Sequence, residues 1–129
     1  MKFLSFIFTA LLLFATQIHA HCQIPCGVYD DTMRVKMIEE HTLTILKSMN
    51  YIASNQSDIE QKNQVTRWIM NKEEHAQEIQ NIVSEYFLTQ RIKQSSNNYE
   101  NELITLHQLL ISVMKCKQDV NKENVRKQN

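Results

Sequence analysis

Beyond Gly27 the chain contains neither glycine nor proline, because Pro25 and Gly27 are the only residues of their kinds in 129. Residues 28–129 therefore lack the residue that breaks a helix most strongly and the one that enters left-handed turns most readily. What remains is helical in pattern. Asp30, Asp31 and Thr32 offer N-cap oxygens, and Val35, Ile38, Thr42, Ile45, Met49 and Ile52 follow at steps of three and four, which sets them on one stripe of a helix over about 32–53. Ser54, Asn55, Gln56 and Ser57 end it. Ser57 and Glu60 have capping-box spacing for the next helix, and Asn55-Gln56-Ser57 is also a glycosylation sequon, which matters only in a eukaryotic host.

The second helix carries Val65, Ile69, Ala76, Ile79 and Val83 on a three-four stripe that Lys72 interrupts. Trp68, Ile82 and Phe87 widen its apolar face, and it runs to about Phe87 or a little beyond. Residues 93–98, Lys-Gln-Ser-Ser-Asn-Asn, then prefer bonds to their own backbone and break the pattern. In the third helix Leu103, Leu106, Leu110 and Val113 lie on one face with Ile104, Leu109, Ile111 and Met114 beside it, a face broad enough to be well buried. Residues 119–129 hold Val120 and Val125 among polar neighbours; they can begin a fourth helix but cannot pack much. Short polar connections between long amphipathic helices favour antiparallel neighbours. The expected fold is all-α, an up-and-down antiparallel bundle of three firm helices with a short or truncated fourth.

Residues 1–20, MKFLSFIFTALLLFATQIHA, have a basic start at Lys2, an apolar run over 3–15 and a short polar stretch ending in Ala20, the pattern of a secretory signal peptide. The run is shorter than the roughly 20 residues needed to span a bilayer. Cleavage after Ala20 by a signal peptidase or another processing protease divides the chain into a leader at 1–20, a short N-terminal segment at 21–30 and the bundle at 31–129. The expected destination is outside the cytoplasm: periplasmic or secreted, or an organelle lumen in a eukaryote. Fourteen basic against fourteen acidic residues give no net charge, and the leader removes only Lys2, so neither nucleic acid nor an anionic membrane is an expected partner. No membrane contact is expected after cleavage.

Most of the unusual chemistry sits in His21-Cys22-Gln23-Ile24-Pro25-Cys26-Gly27-Val28-Tyr29-Asp30. In an exported chain, two cysteines at this spacing can form a disulfide or a metal site. Pro25 and Gly27 permit the turn that would bring the two sulfurs together. Once cleavage frees His21, the same residues present an α-amine titrating near pH ~8, an imidazole, the Cys22 backbone amide and two thiolates. Two nitrogens and two sulfurs can fill a plane and leave the imidazole above it. Square-planar coordination suits Ni(II) or Cu(II) rather than tetrahedral zinc. Mixed sulfur and nitrogen donors match nickel best, and thiolates make a higher oxidation state accessible.

The nine-residue pattern His21-Cys22-x-x-Pro25-Cys26-Gly27-x-Tyr29 resembles the nickel hook of the nickel-containing superoxide dismutase family. Glu85-Tyr86-Phe87 is similar to the acidic-Tyr-Phe motif that ends the second helix of that family. The resemblance implies one nickel ion per chain, with His21 giving its amine and an axial imidazole, Cys22 its thiolate and backbone nitrogen, and Cys26 the second thiolate. It implies that Pro25, through a cis bond, and Gly27 shape the hook, that His21 and Tyr29 are catalytic, with Tyr29 over the metal, and that Tyr86 is a neighbour of the site. The implied reaction is disproportionation of superoxide to dioxygen and hydrogen peroxide by Ni(II)/Ni(III) cycling, in a homohexamer.

Gln23 stands where some family members carry aspartate. Glu39, Glu40, Arg67 and Lys72 are candidates, by location alone, for the carboxylate and cation that brace the axial imidazole in the family. The reading from a different class is a non-catalytic exported helical protein whose N-terminal cysteines form a disulfide or sequester copper or nickel. Elsewhere the expectations are plain. Cys116 reads as a buried thiol, and His41, His75 and His107, which lack Glu-x-x-His or His-Glu-x-x-His spacing, as structural or surface residues. Lys72-Glu73-Glu74 and Lys115 to Lys117 read as solvated faces.

Overall fold

The computed structural model describes residues 25–126. The proposed leader and the hook positions His21, Cys22, Gln23 and Ile24 lie outside the described residues. Helix α1 spans Asp31–Asn55 and α2 spans Lys62–Asn81. The second helix runs on without a break into a π-helical segment, Ile82–Arg91. Helix α3 spans Tyr99–Gln118, and α4 is a single turn, Glu123–Arg126. The described residues contain no strand. The fold is thus all-α as expected, three firm helices and a short fourth.

Helix α1 starts where Asp30 Oδ1 accepts the Met33 amide at 2.9 Å, so one of the four orphan donors of the first turn is satisfied. Helix α2 starts differently from the expectation. Ser57 does not cap it; the N-cap position is Gln61, without a side-chain bond, and the connecting turn is held instead by Asp58 Oδ1 accepting the Glu60 amide at 2.9 Å. Cross-links between α1 and α2 run in opposite chain directions. His41 meets His75, Asn71 Nδ2 donates to Ser48 Oγ at 3.1 Å, and Tyr51 packs on Trp68 with centroids 5.3 Å apart, which makes the pair antiparallel.

All four helices contribute to the core: Ile45 and Met49 from α1, Ala76 and Ile79 from α2, Val83 from the π segment, Val113 and Cys116 from α3, and Val125 from α4. Cys116 is fully buried, as expected for an ordinary core thiol. Three expectations about packing are corrected. Val125 is only 4% exposed, so the tail does contribute to the core; Asp119 Oδ1 accepts from the Asn121 amide at 2.8 Å and from Asn124 Nδ2 at 2.9 Å, which folds α4 back onto the bundle.

Lys72 is not part of a solvated face. It is 3% exposed, and its Nζ donates to the carbonyls of Cys116 at 2.5 Å and Lys117 at 2.6 Å, with Asp119 O at 3.5 Å. A cation at the negative end of α3 satisfies carbonyls that have no partner within their own helix. The third correction concerns α3 itself. Only Ser112, Val113 and Cys116 are buried there, while Ile104, Ile111 and Met114 are exposed.

Candidate metal centre

The chain enters the bundle through a turn that only one residue type adopts cheaply. Gly27 has φ +80, in the left-handed region where a side chain is strained, although a Cβ there would meet nothing within 4 Å. The glycine is required by conformation and not by space. Just before it lie half-buried Pro25 and exposed Cys26, and just after it exposed Val28 and Tyr29. Cys26 and Cys116, the described cysteines, form no disulfide with one another.

Tyr29 is where this segment meets the helices. Its ring lies edge-on to Tyr86, with centroids 5.8 Å apart and planes at 78°, and the Arg91 guanidinium sits 4.5 Å over its centre. Such edge-to-face and cation–π contacts add orientation to simple burial. Tyr86 is buried, at 3% exposure; it also packs on Phe87 at 5.0 Å and lies under the Arg34 guanidinium at 5.1 Å. Its hydroxyl donates to Asp31 Oδ1 at 2.6 Å. Arg91 donates to the same carboxylate twice, Nε to Oδ1 and Nη2 to Oδ2, each at 2.8 Å, the planar two-point geometry that only arginine provides.

The charges follow from these contacts. Hydrogen bonds from Arg91 and then Tyr86 hold the Asp31 carboxyl below its ordinary range. Burial, and next the bond to an already charged Asp31, push the Tyr86 phenol up, so it keeps its proton and remains a donor. The Asp31 carboxylate raises the pKa of Arg91.

The π segment explains how one carboxylate receives both partners. Tyr86 and Arg91 are five residues apart, which on an α-helix would turn them about 140° from one another. A helix closed by bonds from i to i+5 stacks them on the same side. The Ile92 amide bonds the Phe87 carbonyl at 2.9 Å in that pattern. Thr89 Oγ1 to Ser84 O at 2.6 Å and Gln90 Nε2 to Glu85 O at 2.9 Å reinforce it with side-chain bonds across the same spacing.

Of the residues expected at the site, Pro25, Cys26, Gly27, Tyr29 and Tyr86 are gathered at one end of the bundle, and His21 and Cys22 lie outside the described residues. The bracing candidates are not gathered there. Lys72 is committed to the end of α3, Arg67 lines a pocket with Gln64, Trp68 and Asn71 nearer the start of α2, and Glu39 lines another with Leu43, Leu46 and Lys122; Glu40, its neighbour on α1, is exposed. Reading the sequence missed Asp31 beyond its capping role, and missed Arg34 and Arg91 entirely. The only sequence signal for Arg91 was its distance of five from Tyr86, which an α-helical period ignores. His41 and His75 prove to be partners, Nδ1 to Nδ1 at 2.7 Å across α1 and α2.

No three His, Cys, Asp or Glu side chains converge as metal ligands among the described residues. The donor chemistry at this end nevertheless fits nickel. Asp31 is engaged by Tyr86 and Arg91 and Asp30 caps α1, so the two carboxylates that follow the turn already have partners, and the exposed Cys26 supplies a soft sulfur of the kind nickel with thiolate ligands requires. A family model for nickel-containing superoxide dismutase matches residues 16–128.

The chain belongs to the nickel-containing superoxide dismutase family. Neither the curated proteins nor the solved structures give a match. Membership makes the protein an oxidoreductase with nickel as cofactor and superoxide as substrate. The match takes in the hook pattern together with the bundle, so the aromatic and ionic cluster described above lies inside the family region of the chain. Among the described residues no helix is long and apolar enough to cross a membrane.

Proposed function

We propose that the working enzyme begins at His21, and that residues 21–30 form the hook that holds nickel at the Tyr29–Tyr86 end of the bundle. His21 contributes its amine and imidazole, Cys22 its thiolate and backbone nitrogen, and Cys26 the second thiolate. The observation that carries this reading is the capture of Tyr29, three residues after Cys26, between Tyr86 and Arg91: the chain leaving Cys26 is fixed against the helices, so a hook before it would be fixed too. Pro25 and Gly27 set the turn of the hook. The signal peptide at 1–20 and an exported destination are part of the same proposal, since the His21 amine is locked in the Ala20–His21 peptide bond until the leader is cut.

Nickel in such a site supplies a one-electron couple, Ni(II)/Ni(III), so that two superoxide ions and two protons yield one dioxygen and one hydrogen peroxide. The chain supplies orientation and access. Tyr29, three residues after Cys26, is the side chain that would limit what reaches the metal. Tyr86 keeps its phenolic proton and spends it on Asp31, so its role is to hold Tyr29 in place. The exposed apolar residues of α1 and α3 supply contacts for a homohexamer.

N-terminal mass analysis combined with metal content tests the reading. The mature chain should start at His21 and carry about one nickel. A start elsewhere, or a Cys22–Cys26 disulfide in active material, overturns it in favour of a non-catalytic exported protein. Cys22→Ser and Cys26→Ser should each abolish dismutase activity while circular dichroism shows intact helices. His21→Ala keeps the amine and both thiolates, so nickel should remain and turnover should fall; undiminished turnover removes the imidazole from the mechanism.

A further inference from the structure

An exposed ion pair ordinarily contributes little, because water screens it and two long side chains must be ordered to form it. The pair between Asp31 and Arg91 is only partly exposed, at 47% and 31% for the two side chains, yet three features set it apart. Its carboxylate is shared with a buried phenol, Tyr86. Its guanidinium also stacks on the ring of Tyr29. And its formation depends on the ten-residue π-helical stretch Ile82–Arg91, a geometry that is rare in regular helices and concentrated at functional sites. A surface pair that served only solubility would need none of the three.

We propose that Asp31 and Arg91 are positioning residues for the nickel hook. They form a carboxylate–guanidinium clamp, brought into register by the π-helical segment, that presses Tyr29 against Tyr86 and so anchors the chain leaving Cys26. Asp31 is at the start of α1, immediately after the hook, and Arg91 is at the end of the second helical arm. The clamp therefore joins the hook's exit to the end of the π-helical segment at one carboxylate. Tyr86 Oη and Arg91 Nε converge on the same oxygen, so movement of either changes the seat of the other. Because Arg91 covers one side of Tyr29 while Tyr86 meets another, loss of the guanidinium leaves the Tyr29 ring, already 41% exposed, with one contact where it had two. The clamp rests on the reading of residues 21–30 as the nickel site for its effect on catalysis, but not for its effect on Tyr29.

The test uses the mature chain with Arg91→Gln, Arg91→Lys and Asp31→Asn. In the metal-free protein, the aromatic NMR resonances of Tyr29, assigned through Tyr29→Phe, should be displaced from free-tyrosine positions in the wild type. They should collapse toward those positions in Arg91→Gln and Asp31→Asn, with core methyl signals of Ile45, Ile79 and Val113 unmoved. Arg91→Lys keeps the charge but not the planar fork and should rescue only part of the shift. In the nickel-loaded protein, Arg91→Gln should retain one nickel per chain and lose about tenfold in turnover per nickel, the scale of a modest misplacement of reacting groups. Unmoved Tyr29 resonances in Arg91→Gln, or undiminished turnover per nickel, overturns the proposal. If wild-type protein takes up no nickel, the hook reading fails, and the Tyr29 resonances still decide whether the clamp exists.

Discussion

Lys72 shows what a single position in a sequence conceals. On the apolar stripe of the second helix it reads as an interruption, and beside Glu73 and Glu74 as part of a solvated face; it does pair with Glu73 at 3.1 Å, but its other partners are carbonyls more than forty residues away on α3. No local pattern encodes that reach. Replacing it with methionine, which fills similar space without donors, takes the Lys72 donor away from the buried Cys116 carbonyl and the partly buried Lys117 carbonyl. A buried acceptor without a partner costs about 1–3 kcal/mol, and for a domain of this size each kcal/mol is worth roughly 4–8 °C. Lys72→Met should therefore lower the melting temperature of the metal-free chain by at least about 4 °C while leaving the Tyr29 and Tyr86 cluster intact. An unchanged melting temperature would show that water reaches those carbonyls. Cys116, by contrast, was legible as a buried thiol: nothing distant is needed to place a small apolar group in a core.

Helix existence was legible because glycine and proline are missing after residue 27 and the apolar spacing is regular. The change of pitch at Ile82 was not. Ile82, Val83 and Tyr86 are buried at spacings an α-helix also produces, so the pattern continues smoothly to Phe87 while the hydrogen bonding has already widened. The pairing of α1 with α2 was likewise invisible at its most titratable point, since His41 and His75 meet only once the helices are packed. Burial first, and the neighbouring His75 second, hold the His41 pKa below its ordinary value, while Glu78 and Glu40 pull it back. A histidine lowered in this way favours the folded state when neutral. Its contribution is fully present above the unfolded pKa near ~6.5 and is lost as pH falls from there through the lowered folded value. The metal-free protein should accordingly lose thermal stability as pH falls below about 6.5, and His41→Gln, which removes this titration, should flatten that slope. Parallel slopes for the two proteins would assign the acid sensitivity to another group, and not to Asp31, whose lowered carboxyl gives up its contribution only as pH falls below the ordinary carboxylate range.

At the scale of the molecule, the broad apolar face of α3 was legible, but what covers it was not, because one chain's sequence does not distinguish a core from an interface. Within the chain, the core is narrow: Ile45, Met49, Ala76, Ile79, Val83, Val113 and Cys116, closed by Val125. Outside it, Leu43 on α1, Met70 on α2 and Ile104 on α3 are each more than half exposed, at 67%, 66% and 54%. Single exposed apolar side chains are ordinary on a monomer, whereas in a symmetric assembly they can be covered by another copy. The proposed homohexamer gives them a use, and it can be tested independently of nickel. Sedimentation of the mature chain should give a mass about six times that of one chain. Ile104→Glu introduces a charge that a single copy leaves in water but an apolar interface must desolvate. The variant should therefore fold with the helical content of the wild type and sediment as a smaller species. A monomeric wild type would remove the hexamer. An Ile104→Glu protein that remains fully assembled would place the interface on another face, for which Leu43→Glu, on the opposite arm of the bundle, is the corresponding probe.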